Sequence, residues 1–312
     1  MADKIFKIGT RDSPLALEQA NIVAALLAEA HQALNVEIMP IRSKADWNKD
    51  DGEKPLSEEA GGKGLFAKEI EQALLRGEID CGVHSLKDMA SDLPAGLVIN
   101  HYIERANPHD AFICKNYSSL NELPKGAVIG SCSARRVAIA LHKRPDLNIV
   151  PFRGNVQTRL DKVNAGQVEA TFLAMAGLER LNIQNEMIYP LKRADMLPAC
   201  GQGVICMESR EDDKETHHIL ERINHAETAF CAVAEREVLS VLEGTCHTPM
   251  SAYATLEGDK LVLRAELYSL DGQQKYEART EVSEQVTLEN ARACGEEVGR
   301  ELLNKIPEGF LL

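Results

Sequence analysis

Apolar residues recur along this chain at two periods, and the stretches that carry them separate an alternating α/β part from a different final part. Phe6 to Thr10 reads as a first strand, and Ser13-Pro14 then supplies an N-cap and a first helical residue. Leu15, Ala16, Gln19, Ala20, Val23, Leu26 and Leu27 form the buried stripe of the helix that follows. Val36 to Ile41 predicts the next strand. Residues 43–62 carry no period, are polar, and hold Trp47 and Gly61-Gly62, so they read as a lid or a disordered segment. Lys63 to Arg76 predicts an amphipathic helix with Phe66, Ile70, Ala73 and Leu74 on one face. Asp80 to Val83 predicts a short strand that runs into His84-Ser85-Leu86-Lys87-Asp88. An ionic pair at the carboxyl end of a strand is either a site or a surface turn.

Leu97 to Arg105 crosses into a second unit, and Asp110 to Ile183 holds several strand–helix repeats. Two of its turns share one design. Val128-Ile129-Gly130 ends a strand, Ser131-Cys132-Ser133 caps a helix, and Arg135-Arg136 sit in that helix's first turn. Asn148 to Phe152 then reads as a buried strand, with Arg153-Gly154-Asn155 as the turn, Asn155 as N-cap and Arg159 one turn in. Basic residues at a helix start oppose the helix dipole, so an anion is expected there. Solvated basic helix ends are the plainer explanation for one such turn. Two in adjacent repeats favour a site, because neighbouring strand ends of an α/β sheet converge on one cleft. Arg11 lies at another such strand-to-helix turn, Ala174 to Leu181, with Arg180, reads as a further helix, and Asp195 to Glu208, with Gly201-Gln202-Gly203, returns the chain to the first unit.

From Asp212 onward the pattern changes. Ala226 to Leu242 predicts a helix, followed by a loop through Gly244-Thr245-Cys246. Alternation at 252–256, 261–267 and 276–282, with turns at Gly258-Asp259 and Asp271-Gly272, predicts a three-stranded antiparallel meander. Leu288, Ala291, Val298 and Leu302 mark a closing helix. The fold class expected is α/β, with a smaller α+β C-terminal domain.

Composition sharpens this reading. The 312 residues include Lys+Arg 35 against Asp+Glu 48, a net charge of −13, which argues against nucleic-acid or anionic-membrane partners and makes a local arginine cluster informative. Aromatics are only 4%, so the cores must be aliphatic. The chain shows neither a bilayer-spanning stretch nor a signal-peptide core, and its eight cysteines include no CxxC pair, so a cytoplasmic protein with reduced thiols and no metal site is expected.

In this order the motifs resemble porphobilinogen deaminase, also called hydroxymethylbilane synthase. The matches are Ile8–Leu17, Gly64–Glu69, His84-Ser85-Leu86-Lys87-Asp88, Ala134-Arg135-Arg136, Arg153–Leu160, Gly201-Gln202-Gly203 and Leu242–Cys246. The resemblance implies two periplasmic-binding-protein-like domains around a central cleft, residues 1–101 with 197–218 and residues 102–196, then a C-terminal domain at 219–312. It implies a dipyrromethane cofactor joined by a thioether to Cys246 and held by Arg135, Arg136, Lys87, Ser131 and Ser133. It implies porphobilinogen bound by Arg11, Ser13, Arg153, Arg159, Arg180, Gln202, Lys63 and Phe66, with Asp88 and Lys87 catalytic. The family joins four porphobilinogens head to tail, releasing ammonia, and each pyrrole carries two carboxylates, which suits a string of cations. By the same resemblance the protein is a monomer whose product passes to uroporphyrinogen-III synthase.

Glu18, Cys132, Ala134 and Thr245 depart from the family's usual residues; Thr245 replaces a common glycine and narrows the backbone freedom beside Cys246. Two other readings fit the residues less well. A binding protein for a small polyanion has no use for Cys246 on a third domain, or for Asp88 among carboxylate-binding arginines. A phosphoryl-handling enzyme would need a P-loop or a metal-binding carboxylate cluster, and neither pattern is present.

Overall fold

A computed structural model of the chain describes residues 5–42, 67–245, 247–283 and 285–310. Strand β1 (Ile5–Arg11) runs into helix α1 (Pro14–Ala30), and Ser13 caps that helix by accepting a hydrogen bond from the Ala16 amide. Gln19, Ala20, Val23 and Leu27 face inward, matching the predicted stripe. Fully burying a side chain such as Leu27 contributes about 1.5–3 kcal/mol.

Strand β2 (Asn35–Ile41), helix α2 (Lys68–Leu75), strand β3 (Cys81–Ser85) and strand β4 (Leu97–Tyr102) continue the first unit. Helix α2 is shorter than the stretch from Lys63 to Arg76 predicted; residues 63–66 lie outside the described residues, and Ala67 is a turn. Strand β3 runs two residues beyond Val83, because His84 and Ser85 pair with strand β10 (Ile205–Arg210), and Leu86–Asp88 then forms a single 3-10 turn. The sheet order is β2-β1-β3-β10-β4, with β10 antiparallel to both neighbours.

The second sheet repeats that plan. Its strands are β5 (Asp110–Cys114), β6 (Val128–Gly130), β7 (Asn148–Val150), β8 (Ala170–Ala174) and β9 (Ile188–Pro190), in the order β7-β6-β8-β5-β9. Helices α3 (Ala134–Lys143), α4 (Val156–Asn164) and α5 (Met175–Arg180) follow β6, β7 and β8. Strand β7 corrects one expectation: it is an edge strand ending at Val150, and Phe152, beyond it, is the buried residue. In each sheet a parallel βα set is closed by one antiparallel strand, β10 or β5, and each of these follows a crossing between the sheets. The two crossings lie side by side, with the Ala106 amide donating to Gly203 O at 3.1 Å.

Helix α6 (Lys214–Glu221) leads to helix α7 (Ala226–Val241), the meander β11 (Met250–Glu257), β12 (Lys260–Tyr268) and β13 (Lys275–Val282), and helix α8 (Leu288–Lys305). Ala252, Leu261, Leu263 and Leu267 from one face of this sheet pack on Ala234, Val238, Val298 and Leu302 of the two helices. The architecture is the expected one: two α/β units and a smaller α+β unit. No helix among the described residues is long and apolar enough to cross a membrane.

Candidate active site

In the first unit, the ends of β1 and β3 open on one pocket. It is lined by Arg11, Gln19, Ala67, His84, Ser85 and Asp88, among others. Gln19 is buried and donates to Ser85 Oγ at 2.7 Å, which fixes the floor between α1 and β3. Asp88 itself is exposed, at the end of the 3-10 turn. Lys87 beside it is pushed down to about 8, first by burial and then by Arg136 and Arg135, with Asp88 and Asp110 acting in the opposite sense. The fields of both arginines therefore reach Lys87 from the second unit.

Arg135 and Arg136 occupy the predicted first turn of α3, where Ser133 caps the helix by accepting from the Arg136 amide. Ser131 Oγ accepts from the Ser133 amide, and Cys132 Sγ from the Phe152 amide, so the two neighbouring turns are joined. Both arginines are nearly buried, at 5% and 7% exposure. The anion expected at this helix start is supplied by the protein: Asp110, the first residue of β5. Its Oδ1 accepts from Arg136 Nε at 2.9 Å and Arg136 NH2 at 2.7 Å, and its Oδ2 accepts from Arg135 NH2 at 2.8 Å. Burial alone would raise the Asp110 carboxyl, but the two guanidiniums overcome it and hold it down to about 2. Arg135 also donates to Leu197 O, and Arg136 to Phe172 O.

Sequence reasoning missed Asp110. Its signal was a charged residue opening a fully apolar strand directly after a crossing. Arg135, Arg136 and Lys87 against Asp110 and Asp88 still leave one positive charge in excess. That balance, with the Ser131 and Ser133 hydroxyls, suits a ligand rich in carboxylates.

The other predicted cations have partners or burial of their own. Arg153 is buried at 4% exposure. Arg159 Nε donates to Gly154 O at 2.9 Å, under the Asn155 cap of α4. Arg180 donates to Gly203 O at 2.8 Å, and burial lowers it to about 10. Gln202 is buried between the crossings; its Nε2 donates to Pro108 O at 2.6 Å, and its Oε1 lies 3.5 Å from Arg135 NH2. Arg11 and Ser13 stand at the first unit's β1–α1 turn.

Lys63, Phe66, residues 43–62 and Cys246 lie outside the described residues. The backbone on either side of Cys246 is a tight turn: the Thr245 amide donates to Thr248 Oγ1 at 2.9 Å and the His247 amide to Thr245 Oγ1 at 3.1 Å. The positive φ of this loop falls on Glu243, at 49°, so Thr245 is spared the conformation that only glycine adopts cheaply. No group of three metal-ligating side chains occurs among the described residues.

The C-terminal unit reaches the crossings through Glu235, also missed from sequence. This fully buried carboxylate accepts from Arg105 NH1 at 2.6 Å, the Gly201 amide at 2.7 Å and the Ala254 amide at 2.8 Å.

The chain is similar to known proteins in both of its parts. Residues 6–218 match the porphobilinogen deaminase, dipyromethane cofactor binding domain, and residues 229–304 match the porphobilinogen deaminase C-terminal domain. A porphobilinogen deaminase from Nitrobacter hamburgensis is 43% identical over 310 residues, covering 99% of this chain and 96% of that one. Among solved structures, a nutrient binding protein from Burkholderia cenocepacia bound to methionine is 15% identical with a TM-score of 0.44, covering 72% of this chain and 93% of that one. The Bordetella pertussis BvgS periplasmic VFT2 domain is 14% identical with a TM-score of 0.43, covering 70% and 86%. Matched in both of its parts and along nearly its whole length, the chain belongs to the porphobilinogen deaminase family and joins four porphobilinogens head to tail, releasing ammonia, into the linear tetrapyrrole hydroxymethylbilane.

Proposed function

We propose that this polymerisation takes place in the pocket beside Asp88, on a dipyrromethane joined to Cys246 by a thioether. The observation that carries the reading is the contrast between two aspartates at one cluster of cations. Asp110 is buried and holds Arg135 and Arg136 in place, while Asp88 is exposed to the pocket. An exposed carboxylate repels a ligand made of carboxylates, so its use is toward positive charge. In this reading Asp88 accepts from pyrrole N–H groups and stabilises the charge that develops on the ring as the amine departs. Lys87 sits next to it and orients a carboxylate.

The bound dipyrromethane supplies a nucleophilic ring carbon at its free end. Arg135, Arg136, Lys87, Ser131 and Ser133 would hold its carboxylates. Arg11, Ser13, Arg153, Arg159, Arg180 and Gln202, with Lys63 and Phe66 outside the described residues, would bind the incoming pyrrole and the growing chain. A charge-assisted hydrogen bond contributes about 1.5–3 kcal/mol, so losing one arginine weakens binding and leaves the chemistry in place. The domain limits that serve this design are residues 1–101 with 197–218, residues 102–196, and residues 219–312. Hinging of the first two domains, movement of the Cys246 loop and the segment at 43–62 are each a way to make room for the growing chain. The enzyme works as a cytoplasmic monomer and passes its product to uroporphyrinogen-III synthase.

The test is the intact mass of the denatured protein beside Cys246→Ser. An excess of two linked pyrroles, absent from the variant, is the expected result; an unmodified mass after incubation with porphobilinogen would overturn the anchor. Asp88→Asn keeps shape and removes charge, and is expected to keep the primer and lose turnover. A variant turning over near the wild-type rate would remove Asp88 from the chemistry.

A further inference from the structure

Asp88 can act on a reacting ring only if the backbone that carries it is held in place, and the turn after β3 is held from outside its own unit. We propose that Arg236, on α7 of the C-terminal unit, is a positioning residue for the Lys87-Asp88 turn and fixes that turn relative to the helix that leads to Cys246. This rests on the pocket beside Asp88 being the place where the pyrrole reacts.

The Arg236 guanidinium bonds three successive carbonyls directly after the turn. Its NH2 donates to Ala90 O at 2.5 Å and to Ser91 O at 3.3 Å, and its NH1 to Met89 O at 3.5 Å. Residues 89–94 belong to neither helix nor strand, so the guanidinium supplies donors that a ladder would otherwise provide. The turn is thereby fixed at both ends: the Leu86 amide donates to Val204 O at 3.0 Å, and Arg236 takes the carbonyls that follow Asp88. A planar fork spread over several acceptors fixes direction as well as distance, which a lysine ammonium does not. Packing sets the fork in place. Ala229 and Ala232 share a helix face with Arg236, and both are buried in one cluster with Leu86 and Met89, the residues on either side of Lys87-Asp88. Their small side chains let α7 lie close against the turn. Glu235, next to Arg236, faces the crossings instead and holds Arg105 and the Gly201 amide. Adjacent side chains thus join α7 to two different parts of the first unit.

The same helix is the path to the primer. From Arg236 it continues to Val241, about 8 Å further along the axis at a rise of about 1.5 Å per residue, and the chain then enters the Gly244-Thr245-Cys246 loop. The Lys87-Asp88 turn and the start of the anchoring loop are therefore attached to one rigid element. With Arg236 in place, the helix sets the separation between them. Without it, three carbonyls lose their donors and the turn can shift at its Asp88 end. A misplacement of about 1 Å at a reacting centre costs about 100-fold in rate, because reacting geometry is reached less often. The bonds made and broken in each addition stay the same.

The test compares Arg236→Ala and Arg236→Lys with the wild type, with the primed fraction of each counted by intact mass and each unfolded in urea. Arg236→Ala is expected to keep the primer and a midpoint near that of the wild type, and to lower kcat per primed molecule about 100-fold, with KM little changed. Added guanidinium ion, below concentrations that weaken folding, should fill the vacated place and restore part of that kcat. It should do nothing for the wild type, or for Arg236→Lys, whose ammonium occupies the place. Arg236→Lys keeps the charge and loses the fork, so its kcat should fall between the other two. A purely structural role predicts a lowered urea midpoint, a wild-type kcat per primed molecule and no response to guanidinium. That pattern overturns the proposal, and so does a wild-type kcat at an unchanged midpoint. A lowered midpoint together with a fall in kcat that guanidinium leaves untouched overturns it too. If Arg236→Ala does not fold, Arg236→Lys decides: a lowered kcat at an unchanged midpoint supports the proposal, and a wild-type kcat overturns it. Asp88→Asn in the same assay separates the two ideas. A fully active Asp88→Asn removes the pocket assignment itself, whereas an inactive Asp88→Asn beside a fully active Arg236→Ala removes only the role of Arg236.

Discussion

Replacing Asp110 with Asn tests whether the arginine pair is held by a charge or merely by shape. Asp110 is fully buried and accepts three hydrogen bonds from the two guanidiniums at 2.7–2.9 Å. In Asp110→Asn one side-chain oxygen still serves Arg136, but an amide N–H replaces the acceptor that faced Arg135 NH2. Two buried guanidiniums are then left with no carboxylate between them. Removing one partner of a buried ion pair costs about 3–5 kcal/mol, and retained bonds to Leu197 O and Phe172 O keep the loss within that range. Urea unfolding at neutral pH should show the midpoint lowered with the slope unchanged. The pH dependence has a definite sign. The Asp110 carboxyl lies at about 2 in the folded protein against an ordinary 3.8, so its contribution is complete above 3.8 and disappears as pH falls through 2. The gap between wild type and variant should be flat at neutral pH and should narrow in strong acid. Sulfate, an anion the freed forks can bind, should stabilise the variant more than the wild type. A gap below about 1 kcal/mol, against the 3–5 expected for a broken buried pair, or equal stabilisation of both proteins by sulfate, would refute the argument.

Three further outcomes are expected. Glu235→Gln replaces an acceptor of bonds from Arg105, Gly201 and Ala254 with an amide that accepts at only one atom, and should cost about 3 kcal/mol in thermal or urea unfolding. Lys87 loses its proton as pH rises through about 8, so kcat should fall above that pH in the wild type and show no such fall in Lys87→Gln. Gly203→Ala should destabilise the protein by about 1–3 kcal/mol in urea unfolding, because φ there is +86° and the new Cβ would lie 2.6 Å from Ala106 O of the other crossing.

Local features of the fold were legible because their causes are local. Ser13-Pro14, Ser133 and Asn155 start helices in the structure as the caps in the sequence predict, since a cap needs only neighbours three residues away. The meander followed from strict alternation and two turn signals. Strand β7 was misjudged because an apolar run reads the same at a sheet edge as at its centre; only pairing distinguishes them. Strand β3 was cut short for a related reason: His84 and Ser85 look like loop residues until β10, 120 residues later, pairs with them.

The candidate site divides in the same way. The motifs place Arg135, Arg136, Lys87 and Asp88 in one family's order, and the helix dipole argument demands an anion near α3 from sequence alone. Which anion it is depends on the sheet. Asp110 lies 25 residues from Arg135 in the chain and 2.8 Å from it in space, because β5 inserts antiparallel between β8 and β9. His84 and Glu208 lie 124 residues apart and meet only through the register of β3 with β10. The sequence by itself determined the elements, their caps, the string of cations and the family. The tertiary structure alone decided which charges neutralise one another inside the protein and which remain turned toward the cleft, because burial and pairing depend on contacts between residues far apart in the chain.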